Sequence, residues 1–533
     1  MEAAINIGIR GIRQDAKTSR KTERLCLHFS NIESSLFTFS IIECITLGNE
    51  KIRKTSLDCV RTWYNERVKK ENVMFDELHE ECGVFGAYRI ENASSITYYG
   101  LHSLQHRGQE ASGMAVCDGK EIHVQKGKGL TVDVFRKDKL NQLEGDLAIG
   151  HVRYSTAGGQ ENENIQPIVS KGHLGSLAVA HNGQIVNEKE LRLELENQGA
   201  IFQGTSDSEV LLHLIQKEKG TLLEKVMKTA RRLEGAFSFL VLDEDSIYAV
   251  RDRHGLRPLS YAAFKDGYVI SSETCAFEVM GIYDSTDLKP GEVVEFKKGL
   301  VKKYQYTQDI THHMCAMEYI YFARPDSVVE GINVHAFRKK TGAVLAQKDK
   351  GLDADIVIGV PDSSLSAAIG YAEASGIPLE TGLYKNRYVG RTFIQPTQAM
   401  RDRGVRMKLS PVTSVVKGKS VVMIDDSIVR GTTSRRIVRL LKEAGAKAVH
   451  VRIASPVITH PCFYGVDTST KEELIGARMS KDEIEKYIEA DSLKYMEVEE
   501  LKQVAKEIGL CVACFNGNYC TPLYSYQKVL EKE

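Results

Sequence analysis

Two stretches of this 533-residue chain carry residue types whose spacing could do chemistry. The first is "CGVFG", opening at Cys82, a thiol heading a run of Gly, β-branched and aromatic residues. A cysteine beside apolar residues is by itself more often core than catalytic, yet a thiol at a strand start can also serve as a nucleophile. The second is "VVMIDDSIVRGTTS", Val421 to Ser434. There an apolar strand ends in two adjacent acids, Asp425 and Asp426, and a loop leads through Gly431 into a helix. The unpaired amides of that helix start, with the hydroxyls of Thr432, Thr433 and Ser434, make an anion site. Gly431 lets backbone come close to a phosphate. The acids could accept ribose hydroxyls or hold Mg2+. The whole suits a ligand with both a sugar and phosphates, whereas an ordinary capped turn has no need of paired acids.

The elements that must hold these residues follow from periodicity. From Cys82 to about residue 310 the chain reads as short strands between Gly and Asn turns, such as "LAIGHVRYST", "SLAVAHNGQIVN", "FSFLVLDEDSIYAV" and "GYVISS". Helical stretches, "SSITYYGLHSLQHRG" and "SDSEVLLHLIQKE", interrupt them. That mixture predicts an α+β layered domain. From about 311 the order becomes strand, loop, helix, strand. "ADIVIGVPDSSLSAAIGYAEASG" shows it once, with a helix stopped by Gly376. The segment from Lys419 repeats it, with Ile437, Val438, Leu440, Leu441 and Ala444 on one helix face and Gly445 at the cap. Such units predict a parallel sheet with ligands at the carboxyl ends of its strands.

Composition narrows the class. Lys+Arg and Asp+Glu both number 71, so the net charge of zero suggests no nucleic-acid partner. No stretch is long and apolar enough to span a membrane. Eleven cysteines, an odd number without a secretory signal, point to a reducing cytoplasm rather than a disulfide framework. Residues 1–73 show no clear periodicity, a mild positive balance and the only tryptophan, Trp63.

After Cys82 come "LQHRGQEASG", "GHVRYSTAG", "AHNGQIVN" and "GTSDSE", and in this order the five pieces resemble the N-terminal-nucleophile glutamine amidotransferases. Singly they are weak: "HNG" reads as a turn, and Arg153 and Asp207 as surface ion pairs. The resemblance implies that Cys82 attacks the side-chain amide of glutamine, with its own α-amine as base. It implies an oxyanion hole from Asn182 and Gly183, a glutamine carboxylate paired with Arg153, and an ammonium held by Asp207. "VVMIDDSIVRGTTS" resembles the phosphoribosyl pyrophosphate (PRPP) motif of type I phosphoribosyltransferases. This adds Ser427 and Arg430 to the PRPP site and places Ser363 of "VPDSS" with Asp425 and Asp426 at Mg2+. Tyr384 to Leu409 is basic and turn-rich, and would suit a lid whose Lys385, Arg387 and Arg391 meet pyrophosphate.

A glutaminase followed by a PRPP site resembles the amidophosphoribosyltransferases, from about Met74 to Tyr526. The fold implied is an αββα N-terminal-nucleophile domain, residues 82–310, followed by an α/β type I phosphoribosyltransferase domain, residues 311–533. The function implied is glutamine-dependent conversion of PRPP to 5-phosphoribosylamine, with ammonia passed internally, purine nucleotides as inhibitors and a homo-oligomer, by resemblance a tetramer. A PRPP-sensing regulator is the second reading, but residues 1–73 show no DNA-binding module. An amidotransferase with another acceptor is the third.

Cys511 and Cys514 in "GLCVAC" have a spacing open to zinc, a redox pair or chance. One branch of the family carries a 4Fe-4S cluster, and the resemblance assigns it to Cys315, Cys462, Cys511 and Cys514, one cluster and one Mg2+ per chain. Zinc on the same thiols is the runner-up. Cys520 lies near but is surplus, and Cys26, Cys44, Cys59, Cys117 and Cys275 have no partner pattern. Because a mid-chain cysteine has no α-amine, the resemblance also implies cleavage before Cys82, with "MFDELHEE" (Met74 to Glu81) as propeptide. Met74 is then the expected start, since Lys70-Glu71 can be encoded as a ribosome-binding sequence.

Overall fold

The computed structural model describes residues 82–154, 162–172, 175–386, 409–468, 470–506 and 508–530. The leader, the propeptide, Trp63, Arg387 and Arg391 lie outside them.

Two antiparallel sheets follow Cys82. In the first, Gly83–Tyr88 is central, between Gly267–Ser271 and Leu147–Arg153, with Ala111–Cys117 and Ile122–Lys128 beyond. In the second, Gly175–Ile185 lies between Ile168–Gly172 and Gly235–Leu242, and Ser246–Arg251, Glu292–Lys297 and Leu300–Gln305 continue outward. Both central strands are apolar on two sides because both faces are covered. Val84, Ala115, Ile149, Ala178, Ala180, Leu240 and Ala249 fill the space between the sheets. Helix Ala93–Ser103 covers the outside of the first sheet through Leu101, against Phe85, Met114 and Val152. Helices Glu188–Asn197, Asp207–Lys217 and Leu222–Arg232 cover the second, with Leu191, Leu211, Ile215 and Val226 against Phe237, Phe239 and Val241. The result is the expected helix–sheet–sheet–helix sandwich.

Further along, four parallel strands stand in chain order, Ile356–Gly359, Ser420–Asp425, Ala448–Ile453 and Ser492–Tyr495. Helices Val334–Gln347 and Leu365–Ser375 pack on one face and Thr432–Glu443 and Lys481–Ile488 on the other. Gly376, at φ 76°, ends the second helix as its position predicts. In Thr432–Glu443, Ile437, Val438, Leu440 and Leu441 are buried, and Gly445 follows the end at φ 93°. All four strands therefore present their carboxyl ends to one edge, where Asp425 lies.

Buried side chains join the two halves, Arg107 to Glu318 and Arg257 to Tyr464, and a short parallel pairing of Met314–Cys315 with Leu510–Cys511 ties the start of the second half to its later residues. Among the described residues no helix is long and apolar enough to cross a membrane.

Candidate functional site

Cys82 stands immediately before the central strand of the first sheet. The register Gly83↔Val152 sets it beside the end of the strand that carries Arg153. Its Sγ donates to the Tyr154 carbonyl at 3.4 Å. Burial pushes the thiol above its ordinary value, a tendency that this hydrogen bond and the charge of Arg153 only partly offset while Asp207 adds to it. The thiol is therefore no resting thiolate, and attack needs a base to take its proton.

The second sheet contributes the facing residues. "HNG" is not a turn: His181, Asn182 and Gly183 lie within strand Gly175–Ile185, each paired to strand Gly235–Leu242. Gly183 sits at φ 136°, and a Cβ there would lie 2.1 Å from the Ala236 carbonyl oxygen, so no other residue fits. The Asn182 amide is fully buried, and among the described residues neither its Oδ1 nor its Nδ2 has a hydrogen-bond partner. A buried amide is rarely left so, and an unpaired donor in a site is a group awaiting a ligand. Asp207 is the first residue of its helix, whose N-cap Ser206 accepts from Ser208 N. It accepts from Ile185 N at 3.0 Å. Burial works to raise the Asp207 carboxyl, but His181 and the Ile185 and Ser208 amides outweigh it and hold it below the ordinary range. Arg153 and Asp207 are 5% and 7% exposed, not the surface ion pairs that each suggests alone.

Sequence reasoning missed what holds Cys82. Arg107, inside the quoted "LQHRGQEASG", donates from Nε to the Cys82 carbonyl at 3.1 Å. Its Nη1 reaches Glu273 at 2.6 Å, and Nη1 and Nη2 reach Glu318 at 2.9 and 2.7 Å. All three side chains are fully buried. His106 adds a 2.8 Å contact to Glu273, whose carboxyl burial would raise but which His106 and Arg107 hold well down.

At the other site, Asp425 ends its strand and Asp426 follows, both 7% exposed. Ser363 Oγ donates a short hydrogen bond to Asp426, and Ser364 Oγ donates to Asp425 at 3.1 Å and Asp426 at 3.4 Å. Ser427 donates to Asp426 at 2.8 Å. Burial nevertheless pushes the Asp426 carboxyl up, and a cation beside it would relieve that cost. Paired carboxylates with hydroxyls are the hard oxygen donors Mg2+ prefers. Gly431, at φ 78°, is the N-cap of helix Thr432–Glu443, with Thr432 and Thr433 half-buried at its start and Ser434 buried. Lys385 lies 3.3 Å from Asp362, and Arg430 2.9 Å from Glu473. Ser364, Asp362 and Glu473 were not foreseen; Ser364 at least had a signal, as a second hydroxyl in "VPDSS".

Cys315, Cys462, Cys511 and Cys514 line one pocket with Leu256, Arg257, Met317, Ile458, Tyr464, Val466, Thr468 and Ala513. Burial pushes Cys511 and Cys514 well up, and Cys315 adds to both. Cys520 is adjacent, packed with Cys462 and Cys511 around Phe463 and Tyr464. Cys117 and Cys275 are core residues.

A glutamine amidotransferase domain family matches residues 151–279, and a phosphoribosyl transferase domain family matches residues 333–475. The amidophosphoribosyltransferase of Bacillus subtilis strain 168 is 54% identical over 455 residues, 84% of this chain and 95% of that enzyme. The enzyme of Staphylococcus aureus strain MRSA252 is 50% identical over 463 residues, 85% of this chain and 93% of that enzyme. Among solved structures, the glutamine PRPP amidotransferase of B. subtilis complexed with ADP and GMP superposes with a TM-score of 0.79 at 53% identity, covering 83% of this chain and 98% of that one. A structure described as the allosteric regulatory enzyme of purine biosynthesis gives the same TM-score at 54% identity, covering 83% and 97%. Half or more of the aligned residues are shared across nearly the full length of these enzymes, and the chain belongs to the amidophosphoribosyltransferase family, a glutamine PRPP amidotransferase of the first step of purine biosynthesis.

Proposed function

We propose that residues 82–310 release ammonia from glutamine and that residues 311–533 use it to displace pyrophosphate from PRPP, giving 5-phosphoribosylamine and glutamate. Removal of the residues before Cys82 frees its α-amine, which takes the thiol proton as Sγ attacks the amide carbon of glutamine. Asn182 Nδ2–H and the Gly183 N–H receive the negative charge that develops on the amide oxygen. Arg153 and Asp207 hold the α-carboxylate and α-ammonium. The protonated amine then protonates the leaving ammonia, and water cleaves the thioester to glutamate. The buried Asn182 amide carries this reading, because none of the described residues gives that donor another use.

In the second half, Ser363, Asp425 and Asp426 are the candidate Mg2+ ligands, and Mg2+ when bound would offset charge on the departing pyrophosphate. Thr432, Thr433 and Ser434, with the amides after Gly431, take the 5-phosphate, beside Ser427 and Arg430. Lys385 and Arg387 meet the pyrophosphate. A lid over this site would exclude water from ribose C1.

The four thiols fit a thiolate-bound group: they share one pocket whose remaining wall is largely apolar, with one guanidinium. The family resemblance favours a 4Fe-4S cluster over zinc on these thiols. Amide transfer has no redox step, so that group would serve structure. The complex of the solved relative with ADP and GMP supports purine nucleotides as ligands, and their role as inhibitors and a homo-oligomer are what the family resemblance implies.

Cys82→Ala tests the division of labour. Glutamine-dependent synthesis should vanish while synthesis from ammonia persists, and loss of both would refute it.

A further inference from the structure

The four-thiol pocket and the glutaminase site share a guanidinium. Arg257 is the one charged side chain among the described residues lining the pocket. Its Nη2 donates to the Tyr464 carbonyl at 2.6 Å, and the Tyr464 N–H donates to Cys462 Sγ at 3.3 Å. Its Nη1 lies 3.3 Å from Glu318 Oε1, the atom that also accepts from Arg107, which in turn holds the Cys82 carbonyl. From the Cys462 sulfur to the Cys82 backbone the path runs through buried or half-buried groups throughout.

A second contact runs in parallel. Gly465, in the same loop as Cys462, sits at φ 108°, a backbone conformation that favours glycine, and close to both sites. A Cβ there would lie 3.1 Å from Arg257 Nη2 and 3.4 Å from the carbonyl carbon of Gly183. The loop that supplies a thiol therefore passes close to both the shared guanidinium and the oxyanion-hole glycine.

We propose that Arg257 is a positioning residue for glutamine hydrolysis, coupling the state of the four-thiol pocket to Cys82 and Gly183. The reason is geometric. Fixing the Cys82 carbonyl fixes the first peptide plane of the strand and so the position of the Cα from which both the α-amine and the thiol project. A thiolate-bound group brings negative charge to the pocket, and Arg257 divides its attraction between that charge and Glu318. Movement of the guanidinium toward either one shifts Glu318, Arg107 and the nucleophile's backbone together. Ångström-scale misplacement of a reacting group is enough for rate losses of about 10²-fold.

The coupling rests on the proposed roles of the four thiols and of Cys82, and the experiment separates them. Wild type, Arg257→Met and Arg257→Lys are purified without oxygen. Iron content, ammonia-dependent synthesis, glutaminase kcat and KM, and the rate of Cys82 alkylation by iodoacetamide are measured. Arg257→Met leaves Glu318 with its two bonds to Arg107, so no buried acid is stranded. The expected result is unchanged iron and KM, ammonia-dependent synthesis within about two-fold, and kcat and alkylation down about ten-fold. Arg257→Lys should restore at least half of kcat. Iron-loaded Arg257→Met with wild-type kcat and alkylation would overturn the proposal, as would loss of every activity in step with iron. If that variant does not fold, Glu318→Gln is judged by the same split. Wild type without iron would refute the cofactor reading alone, and the kinetic split would still decide the role of Arg257.

Discussion

Replacing Asn182 with Ala separates catalysis from stability at one residue. The side chain is fully buried, and both of its polar atoms lack partners among the described residues. Folding has thus desolvated an amide for no hydrogen bond in return, a cost of about 1–3 kcal/mol. Truncation removes that cost, breaks no bond and leaves a cavity only three heavy atoms in size. Lost packing offsets the gain in part, so stability should stay the same or rise by about 1 kcal/mol. Activity should move the other way. Loss of one oxyanion donor costs about 10²–10³ in kcat, or roughly 3–4 kcal/mol of transition-state stabilisation. The assay is glutamate release at saturating glutamine, beside urea unfolding and ammonia-dependent synthesis, which should not change. Glutaminase turnover within about three-fold of wild type would refute the oxyanion assignment. A fall in stability above about 2 kcal/mol would show that the amide holds structure instead.

Asp425→Asn keeps the shape of the acid but not its charge, and should abolish both glutamine- and ammonia-dependent synthesis while glutaminase continues; ammonia-dependent product at near wild-type rate would remove Asp425 from the PRPP site. Gly342→Ala should destabilise by about 3 kcal/mol in urea unfolding, since its Cβ would lie 1.8 Å from the Ala367 carbonyl oxygen where helices Val334–Gln347 and Leu365–Ser375 touch. His151 is fully buried, and burial holds its pKa down at about 3. The unfolded chain takes that proton first, so the contribution of His151 is complete above the ordinary histidine range and is lost as pH falls toward 3. Between pH 7 and 5 this amounts to about 2 kcal/mol, and His151→Gln should flatten that part of the pH–stability curve.

What the sequence made legible was local. Asp425 and Asp426, the helix after Gly431 and the strand after Cys82 each lie within one short window, where period and turn chemistry carry information. The ion pairs that fix Cys82 do not. Arg107 and Glu273 are 166 positions apart, and Arg107 and Glu318 are 211 apart. Nothing near any of the three marks it as buried. "HNG" misleads taken singly because Asn and Gly favour turns in general, whereas here a strand pairing sets Gly183 at a positive φ. Arg153 and Asp207 likewise read as surface charges until the sandwich closes over them.

The four-thiol pocket draws on Cys315, Cys462, Cys511 and Cys514, and the pairing of Met314–Cys315 with Leu510–Cys511 helps to form its wall. Translation runs from the amino end, so two of the four thiols, Cys511 and Cys514, arrive only after every strand of the parallel sheet has been made. No nascent chain shorter than that can close the pocket, however well its earlier domain has folded. A group held by all four thiols is thereby restricted to chains that extend past Cys514, and a chain cut short before Cys511 would lack the pocket and the Met314–Cys315 strand pairing at once.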